Sequence, residues 1–405
     1  MSWDVRPCGD TAEQRDALSA IWHYFGRSAP RDDQLASLAQ VMPPERMHAT
    51  WDDGRIVAGA GVFPFQLTVP GGRVSAAGVS VVGVLPTHRR RGVLTAMMRA
   101  QLDDCRARGE PVAYLWASED RIYGRFGYGL ASLTGEVDVP RERATFRAPV
   151  PPCGRTRLVP LTSAELLVAP IWERVARVTP GMFARTPAWW QARTLADLDG
   201  RRGSASELQC AVIEAEDGPI AYALYRMRFG FTRGIPTGTV HVVEALGSSA
   251  HATRAIWRYV LDIDLTAGVR AGPLPVDHPL FLLAAEPRQL RFTVRDGLWL
   301  RLVEVEAALA ARTYAAPGHV VVELADAFCP WNAGRWRIGA DGIRRTSDAP
   351  DLRCDVTALA SVYLGGFTWG QLAAALCVEE MRPGALVRAG ALFQTAVAPW
   401  CPEIF

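Results

Sequence analysis

The stretch that most limits how this chain can fold is VLPTHRRRGVLTAMM, Val84 to Met98. An apolar run, SVVGVL, leads in. A helical pattern leads out, with Leu94, Met97, Gln101/Leu102 and Cys105 along one side between Val93 and about Arg108. A buried strand feeding a helix through a glycine is a unit of α/β architecture, so a sheet covered by helices is the expected frame. Three arginines at a helix start oppose the positive end of the helix dipole, at about 0.3–1 kcal/mol each unless an anion is present. Two readings are open: a solvated turn, or a junction that grips an anion. In the second, the free N–H groups of Val93, Leu94 and Thr95 supply donors. Gly92 lets the backbone approach, Arg89 and Arg90 add charge-assisted contacts, and Arg91 faces either the anion or solvent.

The flanking pattern extends the frame. Thr11 to Phe25 and Arg31 to Val41 read as helices. RMHATW, RIVAGAGVFPFQLTV and GVSVVGVL read as strands joined by DDG and PGG turns. After the arginine junction come the strand PVAYLWAS, the short helix EDRIYGRF and a final strand, GYGLASLTGEVDV. A Pro/Arg-rich stretch, Pro140 to Pro160, reads as a linker. The pattern then returns weakly. A shift of about 160 residues sets VEALGSSAHAT beside VGVLPTHRRRG, without the arginines and the glycine. From about Val294 the character changes again, ending in LASVYLGGFTWGQLAAAL and the aromatic tail PWCPEIF.

Composition excludes several chemistries. All 44 basic residues are arginine, so no lysine-dependent phosphate loop or Schiff base is available. Seven isolated histidines and eight scattered cysteines without a CxxC predict no metal site and reduced thiols. The net charge of +2 gives no nucleic-acid footprint. No apolar run is long enough to span a membrane, and the first residues lack a signal-peptide pattern, so a cytoplasmic protein is expected.

SVVGVLPTHRRRGVLTAMM, ASEDRIYGRFGYG and the tail PWCPEIF together resemble the enhanced-intracellular-survival (Eis) family of GNAT-type aminoglycoside N-acetyltransferases. The general GNAT signature, Arg/Gln-x-x-Gly-x-Gly/Ala, reads here Arg89-x-x-Gly92-x-Leu94; it departs at its last position and fits the narrower family. The resemblance implies an α/β (α+β) chain: an active GNAT-like domain (residues 1–147), a degenerate GNAT-like domain (148–293) and a sterol-carrier-protein-like α+β domain (294–405). It implies acetyl-CoA as co-substrate, no metal, a small-molecule amine acceptor and a homo-hexamer, with neither nucleic acid nor membrane as partner.

The resemblance also implies residue roles. Tyr123 is the general acid for the departing thiolate, with Tyr128 as packing. The α-carboxylate of Phe405 is the base. Such a group is weak in water, near pKa 3.3–3.7 (about), and burial raises it. Val82, Gly83 and Val84 pair with the pantetheine arm, Gly83 sitting at a bulge. Ser118 and Glu119 touch the cofactor, Ser118 also as a helix cap. No family motif assigns the acceptor contacts; Trp22, Phe25, Asp32, Asp33, Phe65 and Glu403 are the candidates, Asp32 and Asp33 reading rather as solvated surface and Glu403 also as a substitute base. A lysine or polyamine acetyltransferase, and a non-enzymatic lipid-binding or scaffold protein with a relict GNAT domain, are the alternatives.

Overall fold

The computed structural model describes residues 3–197 and 202–405. Two compact units divide the chain: Met1–Ser132 with Gly297–Ala396 and Phe405, and Leu133–Asp296 with Val397–Ile404. The sequence-derived divisions at 147/148 and 293/294 fall inside the second unit.

The first unit is built on a seven-stranded sheet. Its strands are β1 (Asp4–Pro7), β2 (Met47–Asp52), β3 (Arg55–Val69), β4 (Gly72–Val84), β5 (Val112–Trp116), β6 (Gly129–Leu130) and β16 (Leu298–Leu302), in the order β1-β2-β3-β4-β5-β16-β6. Helix α1 (Thr11–Tyr24) starts where the Asp10 carboxylate accepts from the backbone N–H groups of Ala12 and Glu13. It buries Ala17, Leu18 and Ile21. Its seat is two paired glycines, Gly59 and Gly83: a Cβ on Gly83 would lie 3.0 Å from the Ile21 Cα. Helix α2 (Asp32–Ala39) follows, and α3 (Val93–Ala107) buries Val93, Met97, Met98, Leu102 and Cys105. The helices and strands read from periodicity are thus present.

One strand reading is corrected. GYGLASLTGEVDV is not a single strand of one sheet: Gly129–Leu130 stays in the first sheet and Leu133–Pro140 (β7) enters the second. The break is pinned at Ser132, whose Oγ accepts from the Leu298 N–H at 2.9 Å. Leu298–Leu302, whose sequence reads with the last domain, pairs with β5. Alternation of apolar residues marks a strand but not its partner, so neither event is visible locally.

The second unit is a seven-stranded sheet of order β15-β7-β14-β13-β10-β9-β8. Its strands besides β7 are β8 (Arg155–Val159), β9 (Gln209–Ala215), β10 (Gly218–Arg228), β13 (Thr239–Gly247), β14 (Gly268–Leu274) and β15 (Thr293–Asp296). The short strands β11 (Phe231–Thr232) and β12 (Ile235–Pro236) form a separate hairpin. One face buries Trp257 and Ile256 of the helix Ala250–Leu261. The other buries Trp172 and Ile171 of α5 (Leu161–Ala176).

Within the first unit a third sheet, order β19-β18-β17-β20-β21, is made by β17 (His319–Ala325), β18 (Gly334–Gly339), β19 (Gly342–Arg345), β20 (Leu352–Asp355) and β21 (Val378–Glu380). Buried Arg312 donates to the carbonyls of Val362, Tyr363 and Phe393, at the C-terminal ends of the helices Val356–Tyr363 and Ala385–Phe393. The partial negative charge of those helix ends offsets the buried cation. All eight cysteines are free thiols. Among the described residues no helix is long and apolar enough to cross a membrane, and no group of three or more His, Cys, Asp or Glu could hold a metal ion.

Candidate active site

The first sheet opens because β4 and β5, parallel neighbours, pair only from Ala76/Val112 to Gly78/Tyr114. Beyond Gly78, β4 continues to Val84 without a partner on that side, while β5 pairs along its whole length with β16 on its other edge. The cause lies in β4. Its register against β3 shifts between Gly59 and Gly61, and Val81 at the shift has φ +47°. A β-branched residue is rarely held in that region, and a bulge of this kind bends the strand away. The bulge thus centres on Val81, not on Gly83; Gly83 is glycine because α1 packs against it.

A cavity of about 310 Å³ lies at this opening. Val82, Gly83 and Val84 edge it on one side; Gly92, Val93, Leu94 and Thr95 edge it on another. Gly92 stands at the N-cap of α3 with φ +86°, and no side chain caps the helix there. Space at its Cβ is open, so the glycine is required by its backbone angle rather than by crowding. Arg89 and Arg90 line the cavity; Arg91 does not. Arg91 sits 3.8 Å from the Asp52 carboxylate and 5.0 Å from the Trp3 ring.

The remaining wall is Tyr24, His88, Ser118, Glu119, Ile122, Tyr123 and Arg125. Ser118 is not the cap of α4 (Asp120–Tyr123): Glu119 holds the N-cap position, and its carboxylate accepts instead from the Tyr24 hydroxyl. The Arg89 guanidinium stacks 4.4 Å from the Tyr24 ring. Tyr24 went unnoticed in the sequence because its partner lies 95 residues away. Tyr123 is 6% exposed, and burial, reinforced by Tyr24 and Glu119, pushes its phenol up to about 12. It is held from behind. Gly127, φ +84°, ends the turn against buried Arg301, and the Tyr128 ring meets Tyr123 edge-on at 5.8 Å. Fully buried Tyr128 is packing, as read from the sequence.

Strand alternation divides the two faces of the opening. Ala77, Val79, Ala113 and Leu115 cluster with Met98, Leu102 and Tyr123 on the α3 face. Phe63, Phe65 and Tyr114 point to the other face, where the Phe405 ring lies 5.1 Å from Phe65 and 4.9 Å from Tyr114. Gly78, the last β4 residue to pair, leaves room there; a Cβ would fall 2.3 Å from the Phe65 ring.

The expected acceptor contacts are dispersed. Phe65 is buried under Phe405, Trp22 carries the Arg27 guanidinium at 4.3 Å, and Phe25 is exposed beside Tyr24. Asp32 pairs with Arg15 at 2.5 Å and Asp33 with Arg31 at 3.1 Å, both well exposed, so they form no acidic wall to the cavity. Glu403 belongs to the second unit, where its Oε2 accepts from Arg185 and from the Trp189 indole at 2.9 Å.

The parted β4–β5 pair beside an uncapped, glycine-led helix goes with matches that make the chain a GNAT acetyltransferase, a class that uses acetyl-CoA. Models of GNAT acetyltransferase domains match residues 6–131 and 181–302, and a sterol carrier protein domain matches 305–402. The chain is 44% identical to an uncharacterized N-acetyltransferase of Streptomyces avermitilis, over 94% of each. It is 36% identical to N-acetyltransferase Eis of Mycobacterium tuberculosis, over 89% of this chain and 93% of the relative. The crystal structure of Eis1 from Mycobacterium abscessus superposes with a TM-score of 0.87 at 37% identity, covering 99% of this chain and 100% of the other. The chain belongs to the Eis family of N-acetyltransferases.

Proposed function

We propose that this chain moves the acetyl group of acetyl-CoA to a primary amine of a polycationic small molecule, aminoglycosides being the best candidates. The observation that carries the donor half is the cavity where the uncapped α3 N-terminus, Arg89, Arg90 and the unpaired β4 edge converge. The pyrophosphate takes the free N–H groups and the two guanidinium groups, while Val82 and Val84 offer backbone pairing to the pantetheine amides. The acceptor half rests on the family resemblance, and no family motif assigns its contacts; Trp22, Phe25 and Phe65 are the aromatic candidates. The assembly proposed with it is a cytoplasmic homo-hexamer of three-domain chains.

In this reading the amine nitrogen attacks the thioester carbonyl from the Phe405 side and gives a proton to the Phe405 α-carboxylate. A C–N bond forms and the C–S bond breaks. The thiolate leaves on the α3 side and takes the proton of Tyr123.

Thiol release from acetyl-CoA across a panel of aminoglycosides, polyamines and lysine peptides tests the acceptor. The expected result is saturable release with aminoglycosides and little with lysine peptides. The absence of amine-dependent release with every member of the panel sinks the proposal. In the donor site, Arg89→Ala and Arg90→Ala are each expected to weaken acetyl-CoA binding about tenfold, and less at high salt. Arg91→Ala, engaged with Asp52 and Trp3, is expected to leave calorimetric affinity within about twofold of wild type.

A further inference from the structure

The second sheet repeats the opening of the first. Its parallel pair, β13 and β14, runs from Thr239/Gly268 to Val242/Ala271 and then parts. What lies at the opening is different. No arginine cluster leads the following helix, Ala250–Leu261, and the Ser249 hydroxyl caps it by accepting from the Ala252 N–H at 3.2 Å. The helix end that would hold an anion is closed by its own chain.

The parted strands instead carry the segment Val397–Ile404. Trp400 is buried on the α5 face, in one cluster with Tyr222, Leu224 and Leu246, and its indole N–H donates to the Pro273 carbonyl at 3.3 Å. Pro273 lies on β14, two residues past the last pair. On the other strand, two residues past the last pair, stands Glu244, 5% exposed. Arg185, its side chain 1% exposed, donates to both Glu244 oxygens at 3.0 and 2.6 Å and to Glu403 at 3.0 Å. Its guanidinium also stacks 3.3 Å from the Trp172 ring. Two tail residues are therefore tied to the opening, Trp400 to one strand and Glu403, through Arg185, to the other.

We infer that the second GNAT unit, with its cofactor slot lost, is a dock for the chain's own C-terminal segment, and that Arg185, Glu244 and Trp400 are positioning residues for the terminal carboxylate. This rests on the reading of the Phe405 carboxylate as the base. A chain end normally frays, and a base must be held near the amine it serves. Glu403 is tied two residues before Phe405, which leaves one residue of slack.

The test uses the full chain with Glu403→Gln, close in shape, and Trp400→Ala as a second variant. Carboxypeptidase release of Phe405 is followed by mass spectrometry, alongside kcat, the KM for acetyl-CoA and the melting temperature. The expected result is release at least about tenfold faster in both variants, with kcat about tenfold lower and KM for acetyl-CoA within about twofold. Release as slow as wild type in both variants overturns the dock. Faster release with undiminished kcat leaves the dock standing and removes the base reading instead.

Discussion

Tyr123→Phe is expected to lower kcat by about a hundredfold and to leave acetyl-CoA affinity within about twofold, the scale of a lost general acid. The phenylalanine keeps the ring in its buried place beside Tyr128 and removes only the hydroxyl. The loss therefore falls on thiolate departure rather than on binding. The sign of the pH dependence follows from the raised phenol. Burial holds the Tyr123 proton on up to about pH 12, so the acid form is present throughout the working range. Wild-type kcat is accordingly expected to show no alkaline fall between about pH 7 and 10, where an unshifted phenol would begin to titrate. Stopped-flow binding and a kcat–pH profile check both statements. A kcat falling with an apparent pKa near 8 (about), or an equal loss of cofactor affinity in the variant, would remove Tyr123 from the role of acid.

Deleting Phe405 has a comparable effect for a different reason. The residue contributes a carboxylate and a buried ring, 8% exposed against Phe65 and Tyr114. Deletion removes the ring and moves the carboxylate back to Ile404, which is expected to lower kcat about a hundredfold and to reduce stability by the burial of an aromatic side chain, about 2 kcal/mol. A C-terminal amide separates the two contributions. It keeps the ring and takes away the charge, so it should reproduce the fall in kcat with the melting temperature of wild type. Full turnover by the amidated chain would exclude the carboxylate as base.

Much of the lining of the cavity at the β4–β5 opening was legible. Val82 to Val84, Arg89 to Thr95, Ser118, Glu119 and Tyr123 sit in two short motifs, and all but Arg91 line it. Their spacing along strand and helix is local, so periodicity could place them. For Arg91, which the sequence leaves facing either the anion or solvent, the partners Asp52 and Trp3 are brought by β2 and the N-terminal segment. Asp32 and Asp33 lie at the surface, paired with Arg15 and Arg31, as the solvated reading of them expects. Tyr24 carried no local signal at all.

Fold class, the intact first copy and the blank second copy were determined by the sequence alone, because hydrophobic period, turn residues and the helix-start chemistry act over a few residues. The exchange of β7 and β16, the Val81 bulge and the tail held by Arg185 were decided only in the tertiary structure. Each depends on which distant groups meet. A buried guanidinium must find its carboxylates and a strand edge its partner, and neither choice is written in the residues on either side.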